Sequence, residues 1–214
     1  MRPVICMITA PLESGSDTRP LVDRMAAAAH AGVHLIQIRQ PSLEGRALCA
    51  LVTAARRAVE RTQTRILVND RLDVALEAGA HGVHLRGDSM AGARVRPVAP
   101  GSFLLGRSVH GVEEAVEVSE DNDLNYLVFG AVFPPHSKPA FRVAGVEMLR
   151  AVSGHVALPV LAVGGMTVDC LRATAGAGAA GFAAIGMFAD TPIDALDALV
   201  ARAARVFDTQ NRLP

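Results

Sequence analysis

The chain has 214 residues, half of them hydrophobic, which suits one full-sized soluble domain with a large core, and a single domain over residues 1–214 is expected. Lysine plus arginine and aspartate plus glutamate both number 21, and the basic residues are scattered, so no net field recruits nucleic acid or an anionic membrane. Cys6, Cys49 and Cys170 cannot all pair and show no close Cys/His spacing, which argues against zinc and leaves core packing in a reducing cytoplasm.

Met1-Arg2-Pro3-Val4 runs straight into a strand pattern, not into a signal peptide, and no apolar run approaches membrane-spanning length. Apolar strand patterns recur at residues 4–8, 33–38, 66–68, 82–85, 103–108, 125–129, 159–163 and 181–185. Helical patterns lie between them at 21–31, 43–60, 72–78, 112–118, 170–176 and 193–206. Strands that read as continuous apolar runs are covered on both faces, as parallel strands are. Eight of them alternating with helices predict a (β/α)8 TIM barrel. An internal echo agrees. Ala31-Gly32-Val33-His34-Leu35, Ala78-Gly79-Ala80-His81-Gly82-Val83-His84-Leu85 and Ala177-Gly178-Ala179-Ala180-Gly181-Phe182 share one grammar: a helix ends in Ala-Gly, turns through a left-handed glycine and re-enters a strand. A doubly wound open sheet is the runner-up, weakened because no G-x-G-x-x-G follows the first strand.

In a barrel the chemistry belongs where strands end and helices begin. Gln37 and Arg39 alternate on the second strand, so both face the interior, where an arginine needs an anionic partner. Asn69-Asp70-Arg71 follows the third strand and reads either as a helix cap or, through Asp70, as a magnesium ligand. His84 closes the fourth strand, with packing as good a reading as chemistry, and Arg86 and Asp88 follow. The fifth run ends in Ser108 and His110, and an imidazole at that junction can take and return a proton near neutral pH. Glu113-Glu114 complements the dipole of the next helix. The long sixth junction carries Ser137 and Lys138 for a second anion or a lid, with His136 as a surface residue. Val163-Gly164-Gly165-Met166-Thr167 and Ala184-Ile185-Gly186-Met187-Phe188 follow the seventh and eighth strands. Glycines there let backbone N–H groups approach an oxyanion, which predicts a phosphate cradle. His30, His34, His81 and His155 read as structural.

Several stretches, in order and spacing, resemble a known family over nearly the whole chain: thiamine-phosphate synthase and its relative the TenI-type thiazole tautomerase. They are Gln37-Ile38-Arg39, Val68-Asn69-Asp70-Arg71-Leu72-Asp73, Gly82-Val83-His84-Leu85, Gly106-Arg107-Ser108-Val109-His110, Val128-Phe129-Gly130-Ala131-Val132-Phe133-Pro134, Ser137-Lys138 and Pro159-Val160-Leu161-Ala162-Val163-Gly164-Gly165-Met166. The synthase joins a pyrimidine diphosphate to a thiazole phosphate with Mg2+, and the resemblance implies Asp70 as a metal ligand. Its second-strand motif resembles Q-x-R-x-K, with Pro41 here at the lysine. Its fourth loop resembles H-x-G-Q-[DE]-D, with Ser89 here at the metal-binding aspartate, and Gly186 stands where the synthase usually carries a serine.

The tautomerase needs no cofactor. It moves a proton within a thiazole carboxylate phosphate. The resemblance implies Gly164, Gly165 and Gly186 for the phosphate, Arg39 or Lys138 for the carboxylate, and His110 as the acid/base. Gln37, Asn69, Ser108, Ser137 and Ile185 are implied as further substrate contacts. Because the departures fall on synthase chemistry, the leading expectation is an isomerase of thiamine biosynthesis, a TenI-like tautomerase acting on a phosphorylated thiazole. The synthase is the alternative, and a non-catalytic thiamine-pathway binding or regulatory protein is the third reading. Oligomeric state is not readable from the sequence, although an exposed apolar helix face could support a homodimer.

Overall fold

In the computed structural model, which describes residues 3–120, 123–134 and 143–208, eight parallel strands each pair with their neighbours in chain order. They are β1 (Val4–Ile8), β2 (Leu35–Ile38), β3 (Arg65–Asn69), β4 (Gly82–Leu85), β5 (Leu104–Val109), β6 (Tyr126–Phe129), β7 (Val160–Val163) and β8 (Gly181–Ala184). Pairing of Val4 with Gly181 and of Ile5 with Phe182 joins β8 back to β1 and closes the barrel.

The period of two explains the unbroken apolar runs. Cys6, Ile8, Leu35, Leu67, Tyr126, Val128, Leu161 and Ala183 fill the interior. Their chain neighbours Ile5, Met7, Ile36, Ile66, Val68, Leu127, Ala162 and Phe182 face the helices. By the same parity Gln37, Asn69, His84 and Ser108 form the uppermost inward layer at the strand ends. Burial pushes the Cys6 thiol up to about 12, so it stays protonated.

Helices α1 (Arg19–His30), α2 (Gly45–Val59), α3 (Leu72–Glu77), α4 (Gly92–Val95), α5 (Val112–Ser119), α6 (Gly145–His155), α7 (Leu171–Gly176), α8 (Gly186–Ala189) and α9 (Leu196–Asp208) cover the barrel. The echoed turns run through Gly32, Gly79 and Gly178 at φ of 97°, 62° and 86°. Two differences from the sequence reading have clear causes. Val33 does not open β2, because its N–H donates to Ala28 O and completes the end of α1. Helix α6 escapes the periodicity search because only Leu149 and Val152 of it are fully buried, and α4 and α8 are too short to show a period. His34 and His81 accept the N–H groups of Ile5 and Ile66, while His30 and His155 lie within reach of carbonyls one turn back, all structural contacts. Among the described residues no helix is long and apolar enough to cross a membrane.

Candidate active site at the strand ends

A cavity of about 560 Å³ opens at the C-terminal end of the barrel. Gln37, Arg39, Asn69, Ser108, His110 and Ile185 line it, with His84, Arg86 and Glu114. A second cavity, about 710 Å³, adjoins it through Val163 and Ile185 and is walled by Gly164, Gly165 and Gly186. A third, about 300 Å³, shares Arg39, Asn69 and Arg86 with the first and reaches Asp70 and Pro41. The structure thus brings together every expected site residue except Ser137 and Lys138, which with His136 lie outside the described residues.

Arg39 departs from expectation. Strand β2 ends at Ile38, so Arg39 is an exposed rim residue and not an interior charge seeking a buried partner. Its backbone is still fixed, since its N–H donates to the Thr9 hydroxyl at 2.9 Å. Buried Gln40, which the sequence reading passed over, braces the same corner by donating to Thr9 Oγ1 and Ala10 O and accepting from the N–H of Leu12.

His84 belongs to the site. It is 3% exposed, with Nδ1 3.1 Å from the Tyr126 hydroxyl and Nε2 2.9 Å from Ser108 Oγ. The adjacent register of β4, β5 and β6 stacks these residues, and Gly106 leaves the room: a Cβ there would stand 2.0 Å from Tyr126 Cζ. Desolvation pushes His84 down to about 4, against a smaller opposing pull from the Asp70 charge, and burial raises Tyr126 well above its usual range. Both are neutral at pH 7. The unfolded chain binds a proton at His84 near pH 6.5 and the native chain does not until about pH 4. Stability therefore falls as pH drops through that window, by about 3 kcal/mol from this residue at 1.36 kcal/mol per pH unit. Urea unfolding at pH 7, 5.5 and 4 should show the loss, and His84→Gln should flatten that part of the profile.

His110 is not alone. Its backbone N–H donates to Glu114 Oε2 at 2.7 Å and its Nδ1 lies 3.4 Å from the same oxygen, with the imidazole two-thirds exposed. Glu114 sits in the first turn of α5, as the dipole reading expects, but it also orients the imidazole.

At the end of β3 and in the loop after β4, Asp70 accepts a hydrogen bond from the Ser89 hydroxyl. Arg86 reaches Asp70 Oδ2 at 3.7 Å and Asp88 Oδ2 at 2.5 Å. Arg107, in the middle of β5 and 9% exposed, holds this loop by donating to the carbonyls of Gly87, Ser89 and Met90. An arginine inside an apolar strand was the signal available for it. These residues do not fit magnesium. A hard cation asks for carboxylates with free oxygens, and here one carboxylate carries a hydroxyl while both face a guanidinium.

Gly165 has φ of +58°, and a Cβ there would stand 2.6 Å from the carbonyl oxygens of Phe133 and Pro134. The left-handed turn is therefore demanded by the loop after β6 as well as by any ligand. Gly165→Ala should cost at least about 2 kcal/mol in chemical denaturation, from the backbone conformation and the overlap together.

The family model described as thiamine monophosphate synthase, TMP-TENI, matches residues 5–188. A putative thiamine-phosphate synthase of Geobacter sulfurreducens is 36% identical over 176 residues, 81% of this chain and 82% of that one. The thiamine-phosphate synthase of Chlorobium luteolum is 33% identical over 202 residues, 93% of this chain and 92% of that one. Among solved structures, a thiamine phosphate pyrophosphorylase from Pyrococcus furiosus superposes with a TM-score of 0.79 at 28% identity, over 95% of this chain and 96% of that one.

Proposed function

The chain belongs to the thiamine monophosphate synthase (TMP-TENI) family, and from that premise we propose that it is a transferase of the thiamine-phosphate synthase type. The isomerase expected first from the sequence has no specific support among the relatives, whose names favour the alternative. The observation that carries the transferase reading is the pair of adjoining cavities meeting at Val163 and Ile185, room for two substrates end to end. The thiazole phosphate takes the cavity walled by Gly164, Gly165 and Gly186. The pyrimidine diphosphate takes the polar cavity, with Gln37, Asn69 and Ser108 as hydrogen-bonding walls and its diphosphate toward Arg39 and Arg86. The thiazole nitrogen then attacks the methylene carbon, the C–O bond breaks, and pyrophosphate leaves with the bonding pair. Holding two reactants in line supplies much of the acceleration.

One observation favours a second reading, the TenI-type isomerase: the exposed His110 imidazole beside Glu114, a pair able to take and return a proton. Both substrates supplied to purified protein should give thiamine phosphate, and His110→Ala should keep at least a third of that rate. No thiamine phosphate, together with a thiazole isomerisation lost in His110→Ala, would replace the transferase with the isomerase. If neither reaction runs while thiazole phosphate raises the Tm, the protein is a binder.

A further inference from the structure

The loop after β4 carries a charge arrangement that the family's metal chemistry does not need. Ser89 stands where the resemblance expects a metal-binding aspartate, and Arg86 stands where it expects a glycine. We propose that the Arg86 guanidinium takes the place of a divalent cation, so that Arg86 and Arg39 bind phosphate or diphosphate oxygens without metal. The inference rests on the transferase reading only for the choice of a diphosphate as ligand.

Three features support it. First, Arg86 lies between two carboxylates, 3.7 Å from Asp70, which the resemblance implies as a metal ligand, and 2.5 Å from Asp88. Second, the Ser89 hydroxyl proton is committed to Asp70, and Ser89 Oγ in turn accepts the backbone N–H of Arg86 at 2.9 Å, so the loop closes on itself around that carboxylate. Third, Arg107 pins the loop from below through three carbonyls, which fixes the base from which Arg86 projects.

The contact with Asp88 does not lock the arginine away. Arg86 and Asp88 side chains are 57% and 70% exposed, and such a surface pair yields at little cost to a ligand offering a doubly charged group. A guanidinium presents parallel N–H donors that match two phosphate oxygens, and it keeps its charge at any working pH. Arg39 and Arg86 line the same two cavities, which places the anion between them.

Calorimetric titration with inorganic pyrophosphate in EDTA tests this directly. Wild type should bind, Arg86→Gln should bind at least tenfold more weakly, and Arg86→Lys should recover part of the loss. The pair R86G/S89D should bind pyrophosphate only when magnesium is added. Binding by wild type that requires magnesium, or an Arg86→Gln affinity equal to wild type, overturns the proposal. Pyrophosphate binding in EDTA without any thiamine phosphate formation sinks the transferase reading and leaves this one standing.

Discussion

Ser108→Ala should lower kcat/KM about a hundredfold and Tyr126→Phe about tenfold, in barrels that still fold but lose about 1–3 kcal/mol, because each change leaves one ring nitrogen of His84 without its partner. The reason is a proton count. The Tyr126 hydroxyl is buried, and among the described residues its one hydrogen-bond partner is His84 Nδ1. A buried hydroxyl proton left without an acceptor costs about 1–3 kcal/mol, so Tyr126 donates and Nδ1 accepts. The neutral imidazole then carries its proton on Nε2 and donates it to Ser108 Oγ. That bond uses an oxygen lone pair of Ser108 and leaves its hydroxyl hydrogen free to point into the cavity that Ser108 lines. Ser108 is thereby held as a donor toward the ligand, and one such preorganised donor is worth about 10²–10³ in rate. Tyr126 and His84 are positioning residues, because they act through Ser108. Tyr126→Phe frees the tautomer and so should lower kcat more than it raises KM. The 15N shifts of His84 should report a proton on Nε2 in wild type and a mixture in Tyr126→Phe. A variant with wild-type kcat, or a wild-type imidazole protonated on Nδ1, would show that the order of donors is otherwise.

How much of this was legible beforehand depends on what each residue's role requires. Gln37, Asn69 and Ser108 could be read from the period of two and the position of the strand ends, which need no tertiary knowledge. His84 sat in the same pattern, but its role depends on Tyr126, which looks like one more apolar residue of β6. Only the β4–β5–β6 register and the space above Gly106 bring the two rings together. The His110–Glu114 pair was readable as a four-residue spacing across a helix start, and the dipole reading of Glu114 hid it. Arg39 was misplaced because parity was extended one residue beyond the strand. Arg86 and Ser89 depend on the path of a loop, which periodicity does not describe. The family resemblance marked Ser89 as a departure, while the place of Arg86 beside Asp70 and Asp88 came only with the loop geometry.

Gly181→Val should abolish folding or cost more than about 4 kcal/mol in urea unfolding, the largest stability effect expected of a single substitution here. The echo Ala-Gly-x-x-Gly ends at the first residue of β4 and of β8, and sequence alone gave that second glycine no purpose. The structure gives it one. A Cβ on Gly181 would stand 2.0 Å from Val4 O, and one on Gly82 would stand 2.3 Å from Leu104 O. Each glycine lets its strand start flush against the backbone of the next. At Gly181 the neighbour is β1, so the contact is the seam that closes the barrel. The obstruction is a main-chain carbonyl with no rotamer to escape into, so relief requires the strands to part and their shared hydrogen bonds to lengthen. Ile8 from β1 and Ile185 just past β8 both line the mouth cavity, so a parted seam also spoils the site. Gly154→Ala is the control: it sits on exposed α6 with nothing within 4 Å of the added carbon, and should leave stability unchanged or raise it by up to about 1 kcal/mol. If Gly181→Val unfolds at the wild-type urea concentration, β1 and β8 do not meet closely enough at this seam for a Cβ to collide with Val4 O.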